Sequence, residues 1–127
     1  MNKKEMEKLI INLIKKDKWV PLLELEGLFE TNNYDYKGNS NLYIPNEDGT
    51  PNESLIIWKG WNKETTTMIC EILEKSNGKI AYKTAFNPIE LLLLGGGPAN
   101  IPIARSITRK YKDPHWVPGA YVWLGDK

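Results

Sequence analysis

The sequence predicts a single α+β domain with about three helices, a small antiparallel sheet and one long inserted loop or hairpin. Its length of 127 residues fits one core of roughly 100–150 residues and leaves little for a second. Apolar residues recur at helical spacing in three segments and alternate with period two in another, and these segments are separated by clusters of Asn, Gly, Pro and Asp.

Asn2 and Glu5 have capping-box spacing. Met6, Leu9, Ile10, Leu13 and Ile14 then follow the i, i+3, i+4, i+7, i+8 pattern, which predicts a first helix over residues 3–16. Lys18-Trp19-Val20 reads as a short extended piece, because the residue before Pro21 is pushed out of the helical region while proline suits a first helical turn. A short second helix starts there, with Leu22, Leu25, Leu28 and Phe29 on one face and Glu24 and Glu26 opposite. Residues 31–52, rich in Asn, Gly, Asp and Ser, form the insertion, with a turn at Glu47-Asp48-Gly49-Thr50-Pro51.

Leu55 to Trp58 reads as a buried strand ended by Lys59-Gly60. Asn62 caps a third helix to about Lys75, whose stripe is Met68, Ile69, Ile72 and Leu73; Ser76-Asn77-Gly78 closes it. Ile80, Tyr82, Thr84 and Phe86 alternate as in a half-exposed strand. Ile89 to Leu94 reads as the next strand, and His115 to Leu124 as a final one broken at Pro118-Gly119.

Composition excludes several classes. The only cysteine, Cys70, allows no intrachain disulfide and no Cys-rich metal cluster, and its place beside the stripe of the third helix predicts a buried, inert thiol. The N-terminus runs straight into an amphipathic pattern without the apolar stretch of a signal peptide, and the longest apolar run, Leu91 to Leu94, is far too short to span a bilayer. A cytoplasmic protein with no membrane partner is expected. Catalysis needs converging titratable groups. Here His115 is the only histidine and no nucleophile or carboxylate pair stands near it in sequence, so no enzyme activity, cofactor or metal is expected. Gly95-Gly96-Gly97-Pro98 lacks the Gly-Lys-Ser/Thr of a phosphate loop and reads as a turn or wing.

Net charge is only +1, yet its distribution is uneven. Residues 1–20 carry six lysines against three acids, residues 79–127 seven Lys or Arg against three acids, and residues 21–56 seven acids against Lys37 alone. The most polarised stretch holds Arg105, Arg109, Lys110 and Lys112 around Tyr111, with His115 at its end. Cations neutralise phosphates and an aromatic ring stacks on a base, so these residues are the candidate nucleic-acid contacts. Trp61, Trp116 and Trp123 are candidate stacking platforms, with core packing the competing role, the one expected of Trp58 and Trp123.

The order helix, short extended piece, helix, strand, helix, strand, strand, basic loop, strand resembles the winged-helix superfamily of DNA-binding domains over most of the chain. The resemblance implies a groove-binding third helix at Lys63 to Lys75 and a basic wing within residues 95–113. It implies a small nucleic-acid-binding accessory or regulatory protein, with DNA as the favoured partner. The alternative is a protein-interaction or inhibitory module that uses Tyr34, Asp35, Tyr36 and Tyr43 of the acidic insertion. Exposed aromatics also make a homodimer a candidate assembly.

Overall fold

The structure is a computed structural model and describes residues 2–125 except 47, 96, 98–100, 105 and 107–110. Among the described residues the chain forms α1 (Lys3–Asp17), β1 (Trp19–Pro21), α2 (Leu22–Thr31), β2 (Lys37–Pro45), β3 (Pro51–Trp61), α3 (Lys63–Lys75), β4 (Ile80–Thr84), α4 (Pro88–Leu93), β5 (His115–Trp116) and β6 (Gly119–Trp123). None of these helices is long and apolar enough to cross a membrane. The strands make two three-stranded sheets, β1-β6-β4 and β2-β3-β5.

α1, α3 and α4 start where an Asn side chain meets a free N–H group of the first turn, whereas α2 has no side-chain cap. Asn2 Oδ1 accepts the Glu5 N–H at 2.8 Å while Glu5 Oε1 accepts the Asn2 N–H, the reciprocal box expected for α1. Met6, Ile10 and Ile14 bury the inward face of that helix. Asn62 Oδ1 caps α3 through the Thr65 N–H at 2.8 Å. Pro21 precedes α2, which buries Leu22, Leu25 and Phe29.

Antiparallel pairing places Val20 opposite Tyr121 and Tyr82 opposite the same Tyr121, so β6 is the central strand of its sheet. The insertion folds as the β2–β3 hairpin, closed by Asn46 N–H to Thr50 O at 2.7 Å, and β3 extends well beyond the expected Leu55 to Trp58. Near its end β3 carries a bulge. Trp58, Lys59 and Trp61 oppose Leu42, Asn41 and Ser40, which leaves Gly60 unmatched at φ +92°. Residues three apart on a regular strand point to opposite faces. The extra residue brings Trp58 and Trp61 onto one side, where both indole N–H groups donate to Glu26 Oε2, at 2.9 and 2.8 Å. Trp61 lies edge-on to Phe29 with ring centroids 5.2 Å apart, and Tyr36 joins the same cluster.

Two expectations are corrected. Residues 89–94 are not a strand: Asn87 Oδ1 accepts the Glu90 N–H at 2.8 Å, Pro88 takes a first helical position, and the run becomes α4 with Leu94 as its cap. The final segment is not one interrupted strand either. β5 pairs parallel with β3 and β6 pairs antiparallel with β1 and β4, so the chain changes sheets across Val117-Pro118.

Candidate nucleic-acid interface and an adjacent cleft

The basic segment belongs to the connection between β4 and β6, which are hydrogen-bonded neighbours. The connection is pinned at its base. Ala85 N–H donates to Pro118 O at 2.8 Å; further along, Ala104 N–H donates to Trp116 O at 2.7 Å and Trp116 N–H to Pro102 O at 2.8 Å. The Trp116 indole N–H donates to Ile57 O at 3.1 Å and fixes the same point to β3. Ala104 and Trp116, which flank the basic segment in sequence, are both buried, and Tyr111 packs against the small core cluster of Leu55, Ala104 and Val117.

Arg105, Arg109 and Lys110 lie outside the described residues. Lys112 is exposed. Tyr111 is half-buried and stacks on His115, with centroids 3.9 Å apart and planes 27° from parallel, and His115 Nδ1–H donates to the Asp113 carbonyl at 2.8 Å. One face of the Tyr111 ring is thus occupied by His115. Counting by sequence, residues 105–114 hold four cations against Asp113 alone.

The tryptophans named as stacking platforms are placed differently. Trp61 is 1 % exposed and Trp116 is also buried, so neither presents a ring to solvent. Trp123 is half-buried with Lys15 Nζ 5.6 Å from its ring centroid, and Trp58 lies in the core. The outward side of α3 is acidic: Glu64 and Glu74 are exposed, and Glu71 holds Lys3 at 3.2 Å. Phosphate repulsion follows from that face.

The residues of the alternative interface are separated by the fold. Tyr36 is 6 % exposed, and its Oη donates to Glu30 Oε1 at 2.7 Å; burial first, then that bond, pushes its phenol far above the usual range. Tyr34 packs half-buried against Phe29 at 5.6 Å, and burial raises its phenol as well. Asp35 is exposed, and its carbonyl accepts from Asn62 Nδ2 at 2.8 Å. Tyr43 stands apart on β2, where its Oη accepts from Asn41 Nδ2 at 3.1 Å.

Tyr43 faces a feature that sequence reasoning missed. A cleft of about 770 Å³ opens between the β2–β3 hairpin, α3 and β4. Its volume falls within the roughly 300–1,000 Å³ of ligand sites. Thr66, Thr67 and Cys70 form the α3 wall and Tyr82 and Thr84 the β4 wall. Among the described residues, none of the sixteen that line it is charged, although 26 % of the chain is. Cys70 is exposed at this cleft rather than buried as expected, while partial burial and then the Glu71 carboxylate push its thiol up, away from the reactive thiolate. Among the described residues no group of three or more His, Cys, Asp or Glu side chains is arranged to hold a metal ion. The alternation of Ile80, Tyr82 and Thr84 was the one sequence signal of this site, since it marks a strand with an uncovered side.

No protein-family model, no curated protein and no solved structure matches this chain.

Proposed function

We propose that this chain is a nucleic-acid-binding accessory domain on a winged-helix plan, which contacts phosphates through the basic loop between β4 and β6. The observation that carries the reading is the strand order β1-β6-β4 combined with the element order α1, β1, α2, α3, β4, β6, into which β2 and β3 are inserted after α2, and α4 and β5 after β4. In that arrangement the connection from β4 to β6 is topologically the wing, and it is the connection that holds Arg105, Arg109, Lys110 and Lys112. The β2–β3 hairpin is then an insertion between the second and third helices of the plan. DNA is the favoured nucleic acid.

Two features support contact through the loop rather than through α3. The loop has a clamped base at Ala104 and Trp116, which limits the entropy lost when its cations meet phosphate. The outward row of α3 is acidic and unsuited to a major groove. Replacing Arg105, Arg109, Lys110 and Lys112 together by Ala, and titrating labelled double-stranded and single-stranded oligonucleotides by fluorescence anisotropy, tests the assignment. The expected result is a loss of affinity of at least tenfold at low salt; equal affinity in the two proteins removes the loop from the interface.

A second reading is a protein-interaction module, favoured by the neutral cleft beside Tyr43 rather than by Tyr34 and Tyr36, which are packed into the fold.

A further inference from the structure

β4 is an edge strand of its sheet. Leu124 N–H donates to Lys79 O at 2.6 Å and Ala85 N–H to Pro118 O at 2.8 Å, so the main-chain groups of Lys79 and Ala85 face the β6 side. Antiparallel alternation makes those of Ala81 and Lys83 do the same, and turns those of Ile80, Tyr82 and Thr84 to the other side, where β4 has no strand neighbour among the described residues. The Ile80 N–H is met by Ser76, whose Oγ accepts it at 3.2 Å while donating to the Leu73 carbonyl at 2.8 Å. Tyr82 and Thr84 keep their main-chain groups at an open edge, and both residues line the neutral cleft. The opposite wall of the cleft, from Asn41 to Pro45, is β2, the outer strand of the other sheet.

We propose that this cleft is a docking site for an extended, uncharged and mainly apolar peptide segment of a partner protein, which adds to the free edge of β4 as a strand. The unmet N–H and C=O groups of Tyr82 and Thr84 are the donors and acceptors that a strand supplies in return, and they repeat at the two-residue spacing of an extended chain. Charge matching fixes the composition. The sixteen described lining residues offer no ion to offset the desolvation of a buried charge, so the segment is neutral over the length of β4, about five residues. An uncovered strand edge is otherwise an aggregation hazard, which a resident partner strand removes. The proposal stands apart from nucleic-acid binding by the basic loop.

The test starts from a random dodecapeptide library displayed on phage and selected against the full chain. The strongest selected peptide is then synthesised and titrated against the wild type, Thr84→Pro and Cys70→Glu. Thr84→Pro deletes one edge N–H. Cys70→Glu places a charge in the cleft from an exposed helix position and keeps the test sound if the proline variant fails to fold. The expected result is an uncharged core of about five residues in the selected peptides, and a Kd raised at least tenfold by either variant. Selection of charged motifs, no selection at all, equal binding to wild type and Cys70→Glu, or self-association of the chain through this edge would each overturn it.

Discussion

Trp61 Nε1 donates to Glu26 Oε2 at 2.8 Å, across 35 residues of sequence. The bond exists only because the Gly60 bulge turns Trp61 to the side of β3 that Trp58 already occupies, and Trp58 donates to the same oxygen. One half-buried carboxylate thus satisfies two indole donors that a dry core would otherwise leave unpaired. Removing it by Glu26→Ala should cost about 2–4 kcal/mol: bonds to a charged acceptor contribute roughly 1.5–3 kcal/mol each and both donors lose their partner, but the carboxylate is partly exposed and the sum is reduced accordingly. Glu26→Gln keeps an acceptor and should cost less than half as much. Urea unfolding of the three proteins measures the difference, and a loss below 0.5 kcal/mol in the alanine variant, about the size of a bland surface change, would contradict it.

Leu92 and Leu94 separate the helical from the extended reading of residues 88–94. On a strand they share a face. In the structure Leu92 is 82 % exposed and Leu94 is 3 % exposed. Leu94→Ala should cost about 2–4 kcal/mol and Leu92→Ala less than about 0.5 kcal/mol. Equal losses in thermal or denaturant unfolding would restore the strand.

Much of the fold was legible because its signals are local. The Asn2–Glu5 box, the stripe of α1 and the Asn62 cap of α3 depend on a few neighbouring residues and appear as read; the alternation of β4 holds from Ile80 to Thr84, but Phe86 lies beyond the strand and is exposed while Ala85 is buried. The failures are tertiary. Ile89 to Leu94 is a short apolar run without periodicity, for which the Asn87 cap outweighed strand propensity. The passage of the chain from β5 to β6 depends on β3 and β1 being available as neighbours, which no local pattern encodes. The cleft draws its walls from segments 41–51, 57–73 and 80–84 and was invisible for the same reason. The basic loop was legible because its charge is contiguous in sequence.

Asp48 gives the hairpin turn a pH dependence. Its exposed carboxylate accepts the Thr50 hydroxyl at 2.6 Å and the Thr50 N–H at 3.0 Å, and these bonds, the hydroxyl first, hold it below the ordinary aspartate value. A group whose pKa is lower folded than unfolded contributes stability that is complete above its unfolded pKa and is lost as pH falls through its folded pKa. The Thr50 amide resonance should therefore titrate with a midpoint below that of aspartate in an unstructured peptide. A midpoint at or above the peptide value would contradict the turn geometry.

The two sides of β4 should exchange amide hydrogens at different rates. Ala81 and Lys83 pair with Val122 and Ala120 of β6, whereas Tyr82 and Thr84 face the open edge. Hydrogen exchange read by NMR should show protected amides at 81 and 83 and fast ones at 82 and 84. Uniform protection along the strand would mean that the edge is already covered.

The central claim, contact with phosphates through the loop of residues 105–114, is tested most directly by the salt dependence of binding to a random duplex. Each phosphate neutralised adds about 0.9 to the slope of log K against log salt for double-stranded DNA. Four loop cations therefore predict a slope steeper by about three to four in the wild type than in the quadruple alanine variant of Arg105, Arg109, Lys110 and Lys112. Parallel slopes, or no binding by the wild type at the lowest salt to this duplex or to a selected cognate site, would contradict the account.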